Sequence, residues 1–305
     1  MKLQDSLYDI QDDAFRPLVI EIEKLECLYD GCRWAEGPVW IGDQDCLLWS
    51  DIPNNRILRW SEANGVSTFR APSNNSNGHA RDRQGRLVSC EHLTRRVTRT
   101  EHDGSISVIA DSYQGKRLNS PNDVVVKSDG TIWFTDPSYG ILGNYEGDQS
   151  PQEQDGCYVY CFNPSDGTLN VVADDFIKPN GLAFSPDENT LYISDSAYSH
   201  GEHLPHHIRQ FDVSAQNDLS NGRLFADVSP GLPDGFRLDT DGRIWTSAGD
   251  GVHCYSADGT LLGKILTPYK VANVVFGGPK RNRLFIAATY CVYAIYLNVQ
   301  GAKIV

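Results

Sequence analysis

Six times along this chain a small polar pair opens a short apolar run, a turn rich in Asp, Gly, Ser or Pro follows, and a second apolar run completes the unit. The pairs are Glu36-Gly37, Asn77-Gly78, Asn122-Asp123, Asn180-Gly181, Asp234-Gly235 and Ala272-Asn273. Runs of β-branched and aromatic residues punctuated in this way read as strands joined by hairpins. The opening residues stand at 36, 77, 122, 180, 234 and 273, giving intervals of 41, 45, 58, 54 and 39. A β-only repeat of about 40–50 residues is the signature of a four-stranded propeller blade. No helical stripe of period 3.6 interrupts the pattern, which argues against alternating βα architectures. The expectation is an all-β chain, a six-bladed β-propeller. The two long intervals place insertions near 143–156 and 196–205.

A propeller must be closed into a ring, because open sheet edges invite further pairing. After Asn273 the chain has room for about three strands, so the alternating stretch 19–29, beginning Val19-Ile20-Glu21-Ile22, is expected to supply the outer strand of the last blade. Residues 1–18, acidic and without clear period, read as an N-terminal arm or short helix, leaving 19–305 as one propeller domain. No Pro/Gly/Ser-rich linker separates the third unit from the fourth.

Composition narrows the partners. The chain is 40% hydrophobic with 14 Tyr, 11 Phe and 6 Trp among 305 residues, enough for a sizeable core. Its formal net charge of −13 lacks the basic footprint of a nucleic-acid or anionic-membrane binder. No apolar run approaches the roughly 18 residues that span a bilayer. Eight scattered cysteines form no pair of CxxC motifs at zinc-site spacing. With no basic-then-apolar leader at Met1, a cytoplasmic protein with reduced thiols is expected, or an exported one if the natural chain starts upstream. The expected partner is a small molecule, and the chain a monomer or homodimer.

Equivalent positions in a propeller point at one axis. Here that set is Glu36, Asn77, Asn122, Asn180, Asp234 and Asn273: two carboxylates and four amides, with no sulfur or imidazole. Oxygen ligands of mixed charge suit Ca2+, which accepts six to eight oxygens in flexible geometry. Each Asn-Gly alone is an ordinary turn; recurrence in register is what singles them out. Glu36 stands apart, because Glu is a poor turn residue.

The motifs Ala-Glu-Gly-Pro-Val-Trp (35–40), Ser-Pro-Asn-Asp-Val-Val (120–125), Pro-Asn-Gly-Leu-Ala-Phe-Ser-Pro-Asp (179–187) and Leu-Pro-Asp-Gly-Phe (232–236) resemble those of the regucalcin/gluconolactonase superfamily, over about residues 25–300. The Leu-Asn-Ser-Pro-Asn-Asp form is most similar to bacterial gluconolactonases. The resemblance implies a six-bladed propeller with a central metal site, Ca2+ or another divalent ion such as Zn2+, Mg2+ or Mn2+. It implies metal ligands at Glu36, Asn180 and Asp234, with Asn122 binding substrate or metal, and Asp234 as the catalytic acid/base. One departure is plain: regucalcin-like members carry Arg where this chain has Ser120, so sugar specificity does not transfer from that residue.

The expected chemistry is opening of a sugar lactone, the ion polarising the carbonyl while Asp234 takes a proton from the attacking water. Asn122, Asp123, Asn119, Asp136, Tyr139 and His92 are the expected substrate contacts. His79 and His92 also read as hydrogen-bonded structural histidines. Two other outcomes share the site: a calcium-binding or interaction propeller without turnover, and phosphotriester or aryl-ester hydrolysis. The His-rich loop 199–207 fits no standard zinc spacing and reads as a solvated insertion. Asp239-Thr240-Asp241-Gly242 places its Gly at the fourth position, wrong for an EF-hand, and reads as a hairpin turn. No GxSxG, HExxH, P-loop or GxGxxG motif is present.

Overall fold

Short runs of Val, Ile and Trp bounded by Asp-Gly turns fold as antiparallel hairpins, and six antiparallel sheets succeed one another along the chain. The structure, a computed structural model, describes residues 7–303. Blade 1 runs from Ala35–Ile41 to Gly65–Arg70, blade 2 from Ser76–Arg81 to Ile106–Ala110, and blade 3 from Val124–Val126 to Thr168–Phe176. Blade 4 runs from Pro179–Phe184 to Leu219–Asp227, blade 5 from Phe236–Leu238 to Leu261–Leu266, and blade 6 from Asn273–Gly277 to Cys291–Tyr296. Each first strand contacts the first strand of the next blade, and the sixth contacts the first, so six inner strands enclose a channel. The chain is a six-bladed β-propeller.

Packing between blades forms the core. The second strands of blades 1, 3 and 5 each carry a fully buried tryptophan, Trp49, Trp133 and Trp245, and blade 6 carries Phe285 in the same strand. Large rings suit the gaps between twisted sheets, where each buries roughly 150–250 Å². Hairpin turns are locked by Asp side chains. Asp82 Oδ1 accepts from the backbone N–H groups of Gln84 and Arg86 at 3.0 and 2.8 Å. Asp239 Oδ1 does the same for Asp241 and Arg243, both at 3.0 Å. The Asp239–Gly242 stretch is therefore a hairpin turn.

The ring seam lies in blade 6, where Glu26–Tyr29 pairs antiparallel with Cys291–Tyr296 as the outer strand. This strand is shorter than the stretch 19–29 read from the alternation. Val19 makes only an isolated bridge to Leu297, and Ile22 is 89% exposed. Alternation alone cannot make a strand where no neighbouring edge is in reach. Arg283 clamps the seam: Nη2 donates to Glu26 at 2.5 Å and Nη1 to Glu62 of blade 1 at 2.9 Å, with the guanidinium 4.9 Å from the Trp60 ring.

Residues 7–18 are attached to the ring as well. Tyr8–Ile10 pairs with Leu261–Leu266 as a fifth strand of blade 5. A 3-10 turn, Asp13–Leu18, begins where Asp12 caps Ala14 N at 2.8 Å and delivers Phe15 into the core, wholly buried. The Phe15 ring sits 6.0 Å from that of Trp245 and so close to Gly263 that a Cβ there would lie 2.4 Å from it. Phe15→Ala is expected to destabilise the protein by about 3–5 kcal/mol through lost burial and a residual cavity. A denaturant midpoint unchanged from wild type would show that the segment is a dispensable arm.

Candidate active site

The six opening pairs form a collar around one end of the channel, and close backbone approach explains their glycines. A Cβ on Gly37 would lie 2.0 Å from the carbonyl oxygen of Asn77 in the next blade, and one on Gly181 would lie 2.2 Å from that of Asp234. The same carbonyls are hydrogen-bonded from the preceding blade: Ser50 Oγ donates to Asn77 O at 2.8 Å, Thr135 Oγ1 to Asn180 O at 2.7 Å, and Ser194 Oγ to Asp234 O at 2.8 Å. With main chain fixed blade to blade, the side chains are left to point at the axis. Where the next blade's main chain approaches this closely, a small polar residue is followed by glycine.

Glu36, Asn77, Asn122, Asn180 and Asp234 line one cavity of about 500 Å³ at this end. The sixth member, Asn273, is buried beside it and donates from Nδ2 to Glu36 Oε2 at 3.1 Å. Gly37 N–H donates to the same oxygen. Burial pushes the Glu36 carboxyl up to about 8, the charge of Asp123 adding to the effect against the two hydrogen bonds. Burial likewise raises Asp234 well above its ordinary value, with the charges of Glu36 and Asp123 contributing. Its main chain is pinned at both ends, since Asp234 N donates to Ser247 Oγ at 2.7 Å and Gly181 N to Asp234 O at 3.0 Å.

The expected residues divide into three groups. Glu36, Asn122, Asn180, Asp234 and Tyr139 are brought together in the cavity lining. Asp123 and His92 lie just behind it. Asp123 Oδ1 accepts from Val124 N at 2.9 Å, and Oδ2 lies 3.6 Å from the Arg237 guanidinium. His92, fully buried, contacts Asn77. Asn119 and Asp136, expected as substrate contacts, are instead a structural pair away from the cavity. Both are wholly buried, Asn119 N donating to Asp136 Oδ2 at 2.8 Å and Asn119 Nδ2 to the Asp136 carbonyl at 3.0 Å. Burial of that kind pushes Asp136 up to about 7.

Both insertions reach the site. Each follows a second strand, so it emerges at the end of the blade where the inner strand begins. The blade 3 insertion contributes Glu146, and the blade 4 insertion contributes Ser196, Tyr198, Ser199 and His200. The loop read as solvated is therefore partly cavity wall: its His200 ring lies 5.6 Å from Tyr139. The two over-long repeat intervals were the available signal for these residues.

The donor set suits a divalent cation. Asn180 Oδ1 is buried without a hydrogen-bond partner, a cost that a ligand at this spot would remove. Two carboxylates, Glu36 and Asp234, face the same space, where the charge of Glu36 raises the proton affinity of Asp234, an arrangement a doubly charged ion stabilises. Among the described residues no group of three or more His, Cys, Asp or Glu side chains could share an ion. The collar donors that line this cavity are carboxylates and amides.

Comparison with known proteins gives the family. Residues 34–290 match the SMP-30/Gluconolactonase/LRE-like region. The chain is 32% identical over 296 residues to a gluconolactonase of Zymomonas mobilis, covering 91% of this chain and 82% of that protein. It superposes with a TM-score of 0.89 and 40% identity on a gluconolactonase of Xanthomonas campestris, covering 95% of this chain and 94% of the other. The fold also matches a regucalcin of Agrobacterium tumefaciens at TM-score 0.74 and 19% identity, covering 92% and 95%. From the collar motifs, the six blades and these matches together, the chain belongs to the SMP-30/gluconolactonase/LRE-like family.

Proposed function

We propose that this protein is a lactonase that opens sugar lactones, using one divalent cation, Ca2+ first among candidates, held by Glu36, Asn180 and Asp234 with Asn122 beside them. The observation that carries this reading is the meeting of a buried carboxylate, Glu36, a half-buried one, Asp234, and an unpartnered amide oxygen in one cavity of about 500 Å³, a volume in the range of small-molecule sites. The activities in the names of its gluconolactonase relatives support the substrate class. A bound divalent ion would supply Lewis-acid stabilisation of the oxyanion that develops on the lactone carbonyl.

The chain's own groups handle the proton. Asp234 is half-buried and open to the cavity, placed to take a proton from a water attacking the carbonyl carbon. As the ring C–O bond breaks, the same carboxyl returns that proton to the departing ring oxygen, leaving a hydroxy acid. Glu36 serves a different end. Two hydrogen bonds, from Gly37 N and Asn273 Nδ2, fix its carboxylate as an anchor and leave it poorly placed as a base.

Parallel assays test the proposal. With Ca2+ present, gluconolactone is expected to be hydrolysed at least about a hundredfold faster than a phosphotriester such as paraoxon, the discrimination that differential transition-state binding of about 3 kcal/mol supplies. The reverse preference would make the protein a phosphotriesterase, and no turnover of either would make it a binding propeller.

A further inference from the structure

We infer that His92 is a positioning residue that fixes which face of the Asn77 amide the substrate meets, so that the blade 2 side of the cavity offers a carbonyl oxygen to a ring hydroxyl of the lactone. The inference rests on the lactonase reading for its substrate, but its structural half stands alone. His92 follows the second strand of blade 2, Leu87–Glu91, and is wholly buried behind Asn77. Its two ring nitrogens face two different partners. Nδ1 lies 3.3 Å from the backbone carbonyl of Glu146, an atom that can only accept. Nε2 lies 3.3 Å from Asn77 Nδ2, an atom that can only donate.

One tautomer satisfies both contacts: neutral imidazole, with the proton on Nδ1 donated to Glu146 O and the Nε2 lone pair accepting from the Asn77 amide. A flipped Asn77 would require Nε2–H, and then the Nδ1 lone pair would face the Glu146 carbonyl. Burial favours the neutral ring and lowers its pKa to about 4, although the Glu146 carboxylate stands 4.0 Å from Nδ1. Because Asn77 lines the cavity, turning its nitrogen to His92 turns its oxygen inward. An amide free to flip would offer donor or acceptor indifferently; this one is committed.

The other anchor in this arrangement is rigid. The blade 3 insertion that carries Glu146 lies over Gly140 and His92 with no room for a side chain between them. A Cβ on Gly140 would lie 2.6 Å from His92 Cβ, and one on Gly147 would lie 2.1 Å from the Gly140 carbonyl oxygen. Gly140 N donates to Ser120 Oγ at 2.9 Å, Asp148 N to Gly140 O at 3.2 Å, and Tyr145 OH reaches Arg33 O of the first blade's approach at 3.5 Å. The carbonyl that sets the imidazole tautomer is therefore held from several sides, and its orientation passes through His92 to Asn77.

Two measurements test this. In protein with 15N-labelled histidine at neutral pH, the His92 ring, identified by its loss in H92Q, is expected to show a protonated Nδ1 and an unprotonated Nε2. An Nε2–H ring, or an imidazolium, overturns the inference. The second is a double-mutant cycle with H92F and N77A, using gluconolactone and the unsubstituted δ-valerolactone. Each single variant is expected to raise KM for gluconolactone about tenfold, the size of one hydrogen bond, with kcat within about twofold. The double variant should be no worse than either single one, because both remove the same oriented oxygen. KM for valerolactone should not move. Multiplying losses, or equal losses on both lactones, would overturn the positioning role. Wild-type protein that hydrolyses neither lactone but shows the Nδ1–H ring would sink the lactonase reading and leave the orientation of Asn77 intact.

Discussion

Asp234→Asn is expected to lower kcat for a sugar lactone by about 10²–10⁴-fold, the usual contribution of a positioned general base, while the protein keeps its fold. The substitution conserves shape, and the main-chain bonds that hold the residue, to Ser247 Oγ, Ser194 Oγ and Gly181 N, do not involve its side chain. The two losses it combines are separable. An amide cannot take the proton from water, and it also removes one of the two negative charges facing the cavity, so cation affinity falls. Kinetics at saturating Ca2+ isolate the first. Stability moves the other way: without bound cation, burial and the nearby charge of Glu36 both disfavour the charged form of Asp234, so the Asn variant should melt at or above the wild-type temperature. Turnover within tenfold of wild type at saturating Ca2+ would remove Asp234 from the chemistry.

The six-fold repeat was legible because collar geometry imposes the same demand six times. In the Glu36, Asn77 and Asn180 pairs the neighbouring blade's carbonyl excludes a side chain at the second position, and at Gly235 the Asn273 side chain does so; the first residue of each of these pairs lines the channel cavity. A requirement set by close backbone approach writes itself into sequence as glycine, and one set by convergence writes itself as a register of Asn, Asp and Glu. Glu36, Asn122, Asn180 and Asp234 could therefore be read without coordinates. The ring seam was legible only in part, because the missing strand of blade 6 could be counted but its length depends on where an edge is available.

What could not be read is which way a polar residue beside a motif faces. Just ahead of the first strand of blade 3, Val124–Val126, one step along the chain already turns a side chain away from the cavity. Asn122 lines the cavity while Asp123 turns toward Arg237. Asn119 and Asp136 are buried and hydrogen-bonded to each other outside the cavity lining; in sequence they look as functional as their neighbours. Glu146 and His200 show the converse case. They sit on insertions that occur once, so no register marks them, and only their place after a second strand brings them to the cavity.

Removing the divalent ion is expected to abolish lactone turnover by about 10²–10³-fold, since Lewis-acid stabilisation contributes several kcal/mol, and to invert the protein's response to pH. With the cation chelated, Glu36 holds its proton up to about 8, whereas in the unfolded chain it releases it near 4.5. Across that window the native state binds more protons than the unfolded state, so stability falls as pH rises, by up to about 1.4 kcal/mol per pH unit for each proton retained. Asp234, raised from 3.8 by burial and by Glu36, adds to the same slope. The buried histidines act in the opposite sense at lower pH: His79 and His92, lowered by burial to about 3 and about 4, cost stability as pH falls below 6.5. The carboxylate effect is therefore read between pH 7 and 8, above the histidines and below the ordinary thiol value of 9.0 of the buried cysteines. There the denaturant midpoint of chelated protein should drop with pH, saturating Ca2+ should flatten the drop, and Glu36→Gln should reduce it without added metal. Cation affinity should rise over the same interval, because each proton displaced from the carboxylates is one fewer to compete with. Chelated protein that grows more stable from pH 7 to 8 would mean that Glu36 and Asp234 are already ionised without a cation, and that the pair is not the charged half of a metal centre.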